Sequence, residues 1–111
     1  MIRWEQSDID RLLGEVKPAA ISEREFQAAV MKVAHQLGWR FYHTHDSIGA
    51  QAGFPDLCLV RRGRLFFAEL KTEQGKLSKE QKEWLELINM SGVHCMVWRP
   101  SMMDEIIGIL K

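Results

Sequence analysis

Asp56, Glu69 and Lys71 are the residues of this chain whose types and spacing could carry chemistry. Gly53-Phe54-Pro55-Asp56 opens one apolar run and Glu69-Leu70-Lys71 closes the next, with Arg61-Arg62-Gly63-Arg64 between them reading as a hairpin turn. A hairpin returns the chain to the level where it began, so Asp56 and Glu69 are expected to meet. Side chains alternate across a strand, which puts Glu69 and Lys71 on one face and turns Leu70 to the core. Two carboxylates and one ammonium then converge. A hard divalent ion such as Mg²⁺ takes oxygen ligands, commonly one or two carboxylates, and leaves its other positions to water and a substrate phosphate. Such an ion polarises a phosphoryl oxygen and acidifies bound water, and Lys71 could position that water or offset developing charge. The pattern points to hydrolytic phosphodiester chemistry. Taken alone, Glu69 and Lys71 would suit a solvated ion pair as well, an arrangement worth little.

The elements that must position these groups can be read from periodicity. Ile9, Leu12 and Leu13 at helical spacing behind Ser7 predict a short helix over 7–16, ending near Gly14 to Pro18. Phe26, Val30, Val33 and Leu37 give a stronger helix, opened by a Ser22/Glu25 capping box and stopped by Gly38. Trp39 to His43 reads as a strand, and 44–54 as a long exposed connection of the kind that often carries function. Leu57 to Val60 and Leu65 to Leu70 are two antiparallel strands. Ser78 with Gln81 makes a second capping box, followed by Trp84, Leu85 and Ile88 as an apolar stripe with Gly92 at the helix end. Val93 to Trp98 is a last strand, and Pro100-Ser101 starts a final helix. The order is α-α-β-β-β-α-β-α, an α/β fold with a small mixed sheet of about four strands flanked by helices.

The composition permits this and excludes other classes. With 111 residues, 46% hydrophobic and 27% charged, the chain has room for one domain with one core. It divides into an N-terminal arm (1–20), a core (21–100) and a C-terminal helix (101–111). Four Trp and five Phe supply the core without staples. Cys58 and Cys95 lie inside apolar strands and read as buried thiols. A formal net charge of zero argues against a nonspecific polycation, yet leaves basic residues to balance an acidic centre on a phosphate-tracking surface. No apolar stretch approaches a membrane span and the first residues hold no signal-peptide core, so a cytoplasmic protein is expected.

By average residue usage, Pro-Asp followed by Glu-x-Lys at a plausible spacing arises by chance in about one chain in a hundred of this length, so the motif needs company. It resembles the P-D…(D/E)-x-K signature of the restriction-endonuclease-like superfamily. Gly53-x-Pro55-Asp56, Glu69-Leu70-Lys71-Thr72, Gly75-Lys76-Leu77-Ser78, Gln81-x-x-Trp84 and Gly92-Val93 together are similar to the virus-type replication-repair nuclease (VRR-NUC) family. The likeness covers about Ser22 to Arg99. It implies a restriction-endonuclease-like core, Mg²⁺ or Mn²⁺, and cleavage of DNA, with branched or junction DNA and a homodimer suggested by stand-alone members, in a phage or bacterial-host cytoplasm. It also implies metal ligands at Asp56, Glu69 and the Leu70 backbone carbonyl, and an acidic residue from the helix before the sheet. Glu23 and Glu25 both qualify. Glu23 lies nearer the apolar stripe and Glu25 is engaged as the capping partner, so Glu23 is assigned to the site.

Gln27, on the side of Glu23, together with His45, Lys76, Lys79 and Gln81, is expected to contact nucleic acid, although Gln81 serves equally as a cap. Arg61, Arg62, Arg64 and Lys82 are either solvated charges or phosphate contacts. Trp84 is expected in the core. His43 and His45 beside Asp46 could suggest zinc, but no third ligand can be placed. The rival readings are a nuclease-like fold that binds nucleic acid without cutting, and a partner-binding domain. Met102, Met103, Ile106, Ile107, Ile109 and Leu110 make the last helix apolar on most sides, which makes it the expected homodimer surface.

Overall fold

A computed structural model describes residues 17–44 and 50–111. The helix expected over 7–16 and the position of His45 lie outside the described residues. A 3-10 turn at Pro18–Ala20 leads into helix α1 (Glu23–Gln36), followed by strands β1 (Arg40–His43), β2 (Leu57–Arg61) and β3 (Arg64–Leu70). Helix α2 (Lys79–Met90), strand β4 (His94–Trp98), a 3-10 turn at Pro100–Met102 and helix α3 (Met103–Leu110) complete it. The strand order is β1-β2-β3-β4, with the first two pairings antiparallel and β3–β4 parallel, the crossover being α2.

Both capping boxes form. The Ser22 hydroxyl accepts the Glu25 amide and Glu25 accepts back from the Ser22 amide, and Ser78 and Gln81 do the same for α2. Gly38 and Gly92, at φ of 83° and 86°, stand just past the ends of α1 and α2, where an L side chain would be strained. The hairpin closes more tightly than the sequence suggests. Arg61 pairs with Arg64, leaving only Arg62 and Gly63 in the turn, both at positive φ. That conformation matches the right-handed twist of the strands.

One face of the sheet is a dense core. Leu57 and Leu59 of β2, Phe66, Ala68 and Leu70 of β3, and Trp98 of β4 pack against Phe26, Val30 and Val33 of α1 and Met103, Ile106 and Leu110 of α3. This uses the apolar surplus of the last helix. Met103, Ile106 and Leu110 are buried, and Met102, Ile107 and Ile109 pack partly against the same core, so α3 needs no second chain to cover it. The hairpin arginines are structural too. Arg61 donates to Leu37 O and Lys111 O, both at 2.6 Å, and Arg64 to Ile109 O at 3.2 Å, while both guanidiniums lie over the Trp39 ring. They satisfy carbonyls left open at helix C-termini. This end of the hairpin is remote from Asp56 and Glu69, which removes Arg61 and Arg64 from the expected phosphate contacts.

The other face carries Phe67 and Cys95, and α2 lies over it. Here Trp84 departs from expectation. It is half-buried, its ring edge-to-face with Phe54 at 5.0 Å, and α2 has no fully buried residue at all. Cys95 is buried, Cys58 half-buried, and both are free. No helix among the described residues is long and apolar enough to cross a membrane.

Candidate active site

The ladder pairs Leu57 with Ala68, which brings Asp56, one residue earlier, level with Glu69. Asp56 is fixed from two sides. Its Oδ2 accepts the Leu70 amide at 2.7 Å, and its own carbonyl accepts the Thr44 amide at 2.8 Å, while the Thr44 hydroxyl donates to Pro55 O at 2.8 Å. Thr44 thus ties the end of β1 to the Pro-Asp entry. Leu70 faces its side chain to the core, fully buried, and its amide to the carboxylate. Single-residue alternation therefore does what the sequence requires of it.

Glu69 is 5% exposed, which rules out the solvated ion pair as a description of it. It is also the only buried charged residue among those described. Burial pushes its carboxyl up to about 9, and its hydrogen bond to Asp56 and the Asp56 charge push the same way. The Lys71 ammonium pulls it back and the Glu23 charge adds a further upward push. Asp56, Lys71 and Glu23 are thus all within electrostatic reach of Glu69. The buried Cys95 thiol, raised to about 11 by burial and by Glu69, lies beside them.

Convergence is tightest for Asp56 and Glu69. Glu23 is exposed and accepts Gln27 Nε2 at 3.5 Å, and among the described residues no three His, Cys, Asp or Glu side chains form a ready metal-ligand group. Glu25 is the capping partner, as expected. Lys76 is exposed on the segment between β3 and α2, and Lys79 is exposed at the first position of α2. Gln81 spends its Oε1 on the Ser78 amide, at 2.8 Å. His43 is half-buried on β1.

Two contributions were not visible in the sequence. Arg99 Nη1 donates to Thr72 O at 2.7 Å, Gly75 O at 2.6 Å and, more weakly, Glu73 O at 3.4 Å, gathering the turn that follows Lys71. Glu73 in turn accepts the Ser101 amide at 3.1 Å. The Trp84 indole donates to Ala52 O at 3.0 Å, on the loop leading to Asp56. Arg99 is marked by no periodicity or local motif, and the stripe and motif that include Trp84 do not reveal its bond, because both residues act on backbone carbonyls far away in sequence.

The donor chemistry suits a hard divalent cation. Two hydrogen-bonded carboxyls, one nearly inaccessible and held protonated by its surroundings, are a pair of oxygen ligands short of a positive charge. Asp56 and Glu69 would hold it, with Glu23 and the Leu70 backbone at hand.

Known proteins share the sequence pattern and the fold of this chain. The sequence profile of the VRR-NUC domain matches residues 3–101. The chain is similar to the Fanconi-associated nuclease 1 homolog of Schizosaccharomyces pombe, with 36% identity over 61 residues, which span 53% of this chain and 9% of that protein. The fold is similar to a solved VRR_NUC domain structure at a TM-score of 0.58 and 27% identity, covering 71% of this chain and 90% of the solved one.

Proposed function

The chain belongs to the VRR-NUC domain family, and from that we propose that it is a nuclease domain that hydrolyses DNA phosphodiester bonds with a divalent cation, Mg²⁺ or Mn²⁺, held by Asp56 and Glu69. The observation that carries this reading is the hydrogen-bonded Asp56–Glu69 carboxyl pair, with Glu69 buried and Asp56 half-buried, and the Lys71 and Glu23 charges acting on it. When bound, the cation would lower the pKa of a bound water and polarise the scissile phosphate. The chain's own groups do the rest. The Leu70 amide holds the Asp56 carboxylate in one orientation, burial keeps solvent from Glu69, and the Lys71 ammonium offsets negative charge where the phosphate would react. Glu23 is proposed as the helix-borne acidic member, and Gln27, Lys76, Lys79, Gln81 and His45 as contacts to the strand on either side.

Branched or junction DNA is the proposed substrate, and a homodimer the proposed assembly, since two copies would present two such sites to two strands. The test is incubation of purified protein with labelled single-stranded, duplex, flapped and four-way-junction DNAs in Mg²⁺, Mn²⁺ or EDTA, beside Lys71→Ala. Metal-dependent cuts in the parent, slowed about 10²-fold or more in the variant, are expected for loss of a charge that acts in the transition state. Binding without cleavage on every substrate would overturn the proposal in favour of a non-cutting nucleic-acid module.

A further inference from the structure

Helix α2 and the loop of residues 50–55 hold each other, and Asp56 is the next residue along. Three contacts make the joint. Gly53 lies at φ +96° with its backbone against the first turn of α2, where an added Cβ would stand 2.5 Å from Glu80 C and 2.7 Å from Gln81 N. The Trp84 indole N–H donates to Ala52 O at 3.0 Å. The Phe54 ring, partly exposed, stacks edge-to-face with Trp84 at 5.0 Å and with Phe67 of β3 at 5.5 Å. Fully buried Pro55 then delivers the chain to Asp56.

The joint matters because α2 has little else. It has no fully buried residue. Its C-terminal end is tied to β4 through Asn89, which donates to Cys95 O and accepts the Cys95 amide, but its N-terminal end rests on the loop. A loop whose carbonyl and glycine both seat on α2 takes its position from α2. Asp56 is tied on its other side to Thr44 and Leu70, so a shift of the loop pulls its carboxylate away from Glu69.

We propose that Trp84 is a positioning residue for Asp56, acting through Ala52 and the Gly53 contact to set the separation of the Asp56 and Glu69 carboxyls. The proposal rests on the nuclease reading above. It assigns to α2 a second role beside any contact of Lys79 and Gln81 with substrate, since displacement of that helix would be felt at Asp56.

The experiment compares the parent chain with Trp84→Phe, which keeps a ring against Phe54 but loses the donor, and with Gly53→Ala. Mn²⁺ binding is measured by the electron paramagnetic resonance of the free ion, alongside thermal melting and the kcat and KM for cleavage of a DNA that the parent cuts. Mn²⁺ affinity in Trp84→Phe is expected to weaken about 10-fold, the range for loss of a group that orients a metal ligand. A drop in kcat with KM within about twofold should accompany it. Gly53→Ala should shift both further if it folds. Unchanged Mn²⁺ affinity and kcat in folded Trp84→Phe would overturn the inference while leaving the nuclease reading intact. A parent chain that takes up no Mn²⁺ and cuts nothing would overturn both.

Discussion

Glu69 sits where a carboxylate is costly, and its neighbours make the cost depend on pH. Its carboxyl keeps its proton in the folded chain up to about 9, against 4.5 for an unhindered glutamate. The folded state therefore binds a proton that the unfolded state releases above about 4.5. The contribution of this group to stability is intact below that value and falls as pH rises, being lost by about 9. Urea denaturation of the metal-free chain at pH 5, 7 and 9 should show a falling midpoint, and Glu69→Gln should flatten the fall by removing the titrating group. A parent and a variant with parallel profiles would show that the burial of Glu69 is not felt in this way. Asp56→Asn is the companion change. It keeps an oxygen for the Leu70 amide but loses the charge, so it should melt close to the parent and show no metal-dependent cleavage. Melting scans with a cleavage assay separate the two effects.

At the scale of the elements, the two ends of the β2–β3 hairpin have different tasks. The turn end closes through Arg62 and Gly63, both at positive φ, and is pinned by Arg61 and Arg64 to the ends of α1 and α3. Gly63→Val should cost about 1–2 kcal/mol for forcing a branched side chain into that conformation, with cleavage by the folded fraction unchanged. Denaturation and activity measured together check this. The open end carries Asp56, Glu69 and Lys71, and the turn beyond it is held by Arg99. Arg99→Ala removes charge-assisted bonds to carbonyls of that turn, so a loss of about 2–3 kcal/mol is expected, with cleavage falling because Lys71 loses the support that follows it. Capping boxes, glycine stops and the Pro-Asp and Glu-x-Lys strand ends were legible in the sequence because each is a local pattern whose physics is complete within a few residues. Arg99, Thr44 and Trp84 were not, since each bonds a carbonyl or amide 11 to 32 residues distant and only the fold brings the partners together. Trp84 shows the limit well. Its spacing with Leu85 and Ile88 identifies an apolar stripe but does not say that the stripe meets a loop rather than the core.

At the scale of the whole molecule, the apolar surface points away from where the sequence put it. The last helix is apolar on most sides because α1, the sheet and Trp39 enclose it, and Trp39 Nε1 donates to Leu110 O at 2.8 Å within that core. Among the described residues, the large apolar side chains left in solvent are elsewhere: Tyr42, Val60 and Leu65 on the sheet, Phe54 on the loop before Asp56, and Leu87 and Met90 on α2, the last 75% exposed. Val60 and Leu65 are cross-strand partners, and alternation puts them with Tyr42 on the face that α2 only partly covers. If two copies associate, this face rather than α3 is the one with surface to bury. Light scattering on the parent, on a Leu65→Asp, Met90→Asp double variant and on Met103→Asp separates the alternatives. A dimeric parent should give a monomeric double variant that still melts cooperatively, since both positions are exposed in the single chain. Met103→Asp should instead unfold the chain, because a carboxylate would enter the core at a position 1% exposed. A dimer that survives in the double variant would move the contact off this face, and a monomeric parent would leave junction cleavage to a single site acting on one strand at a time.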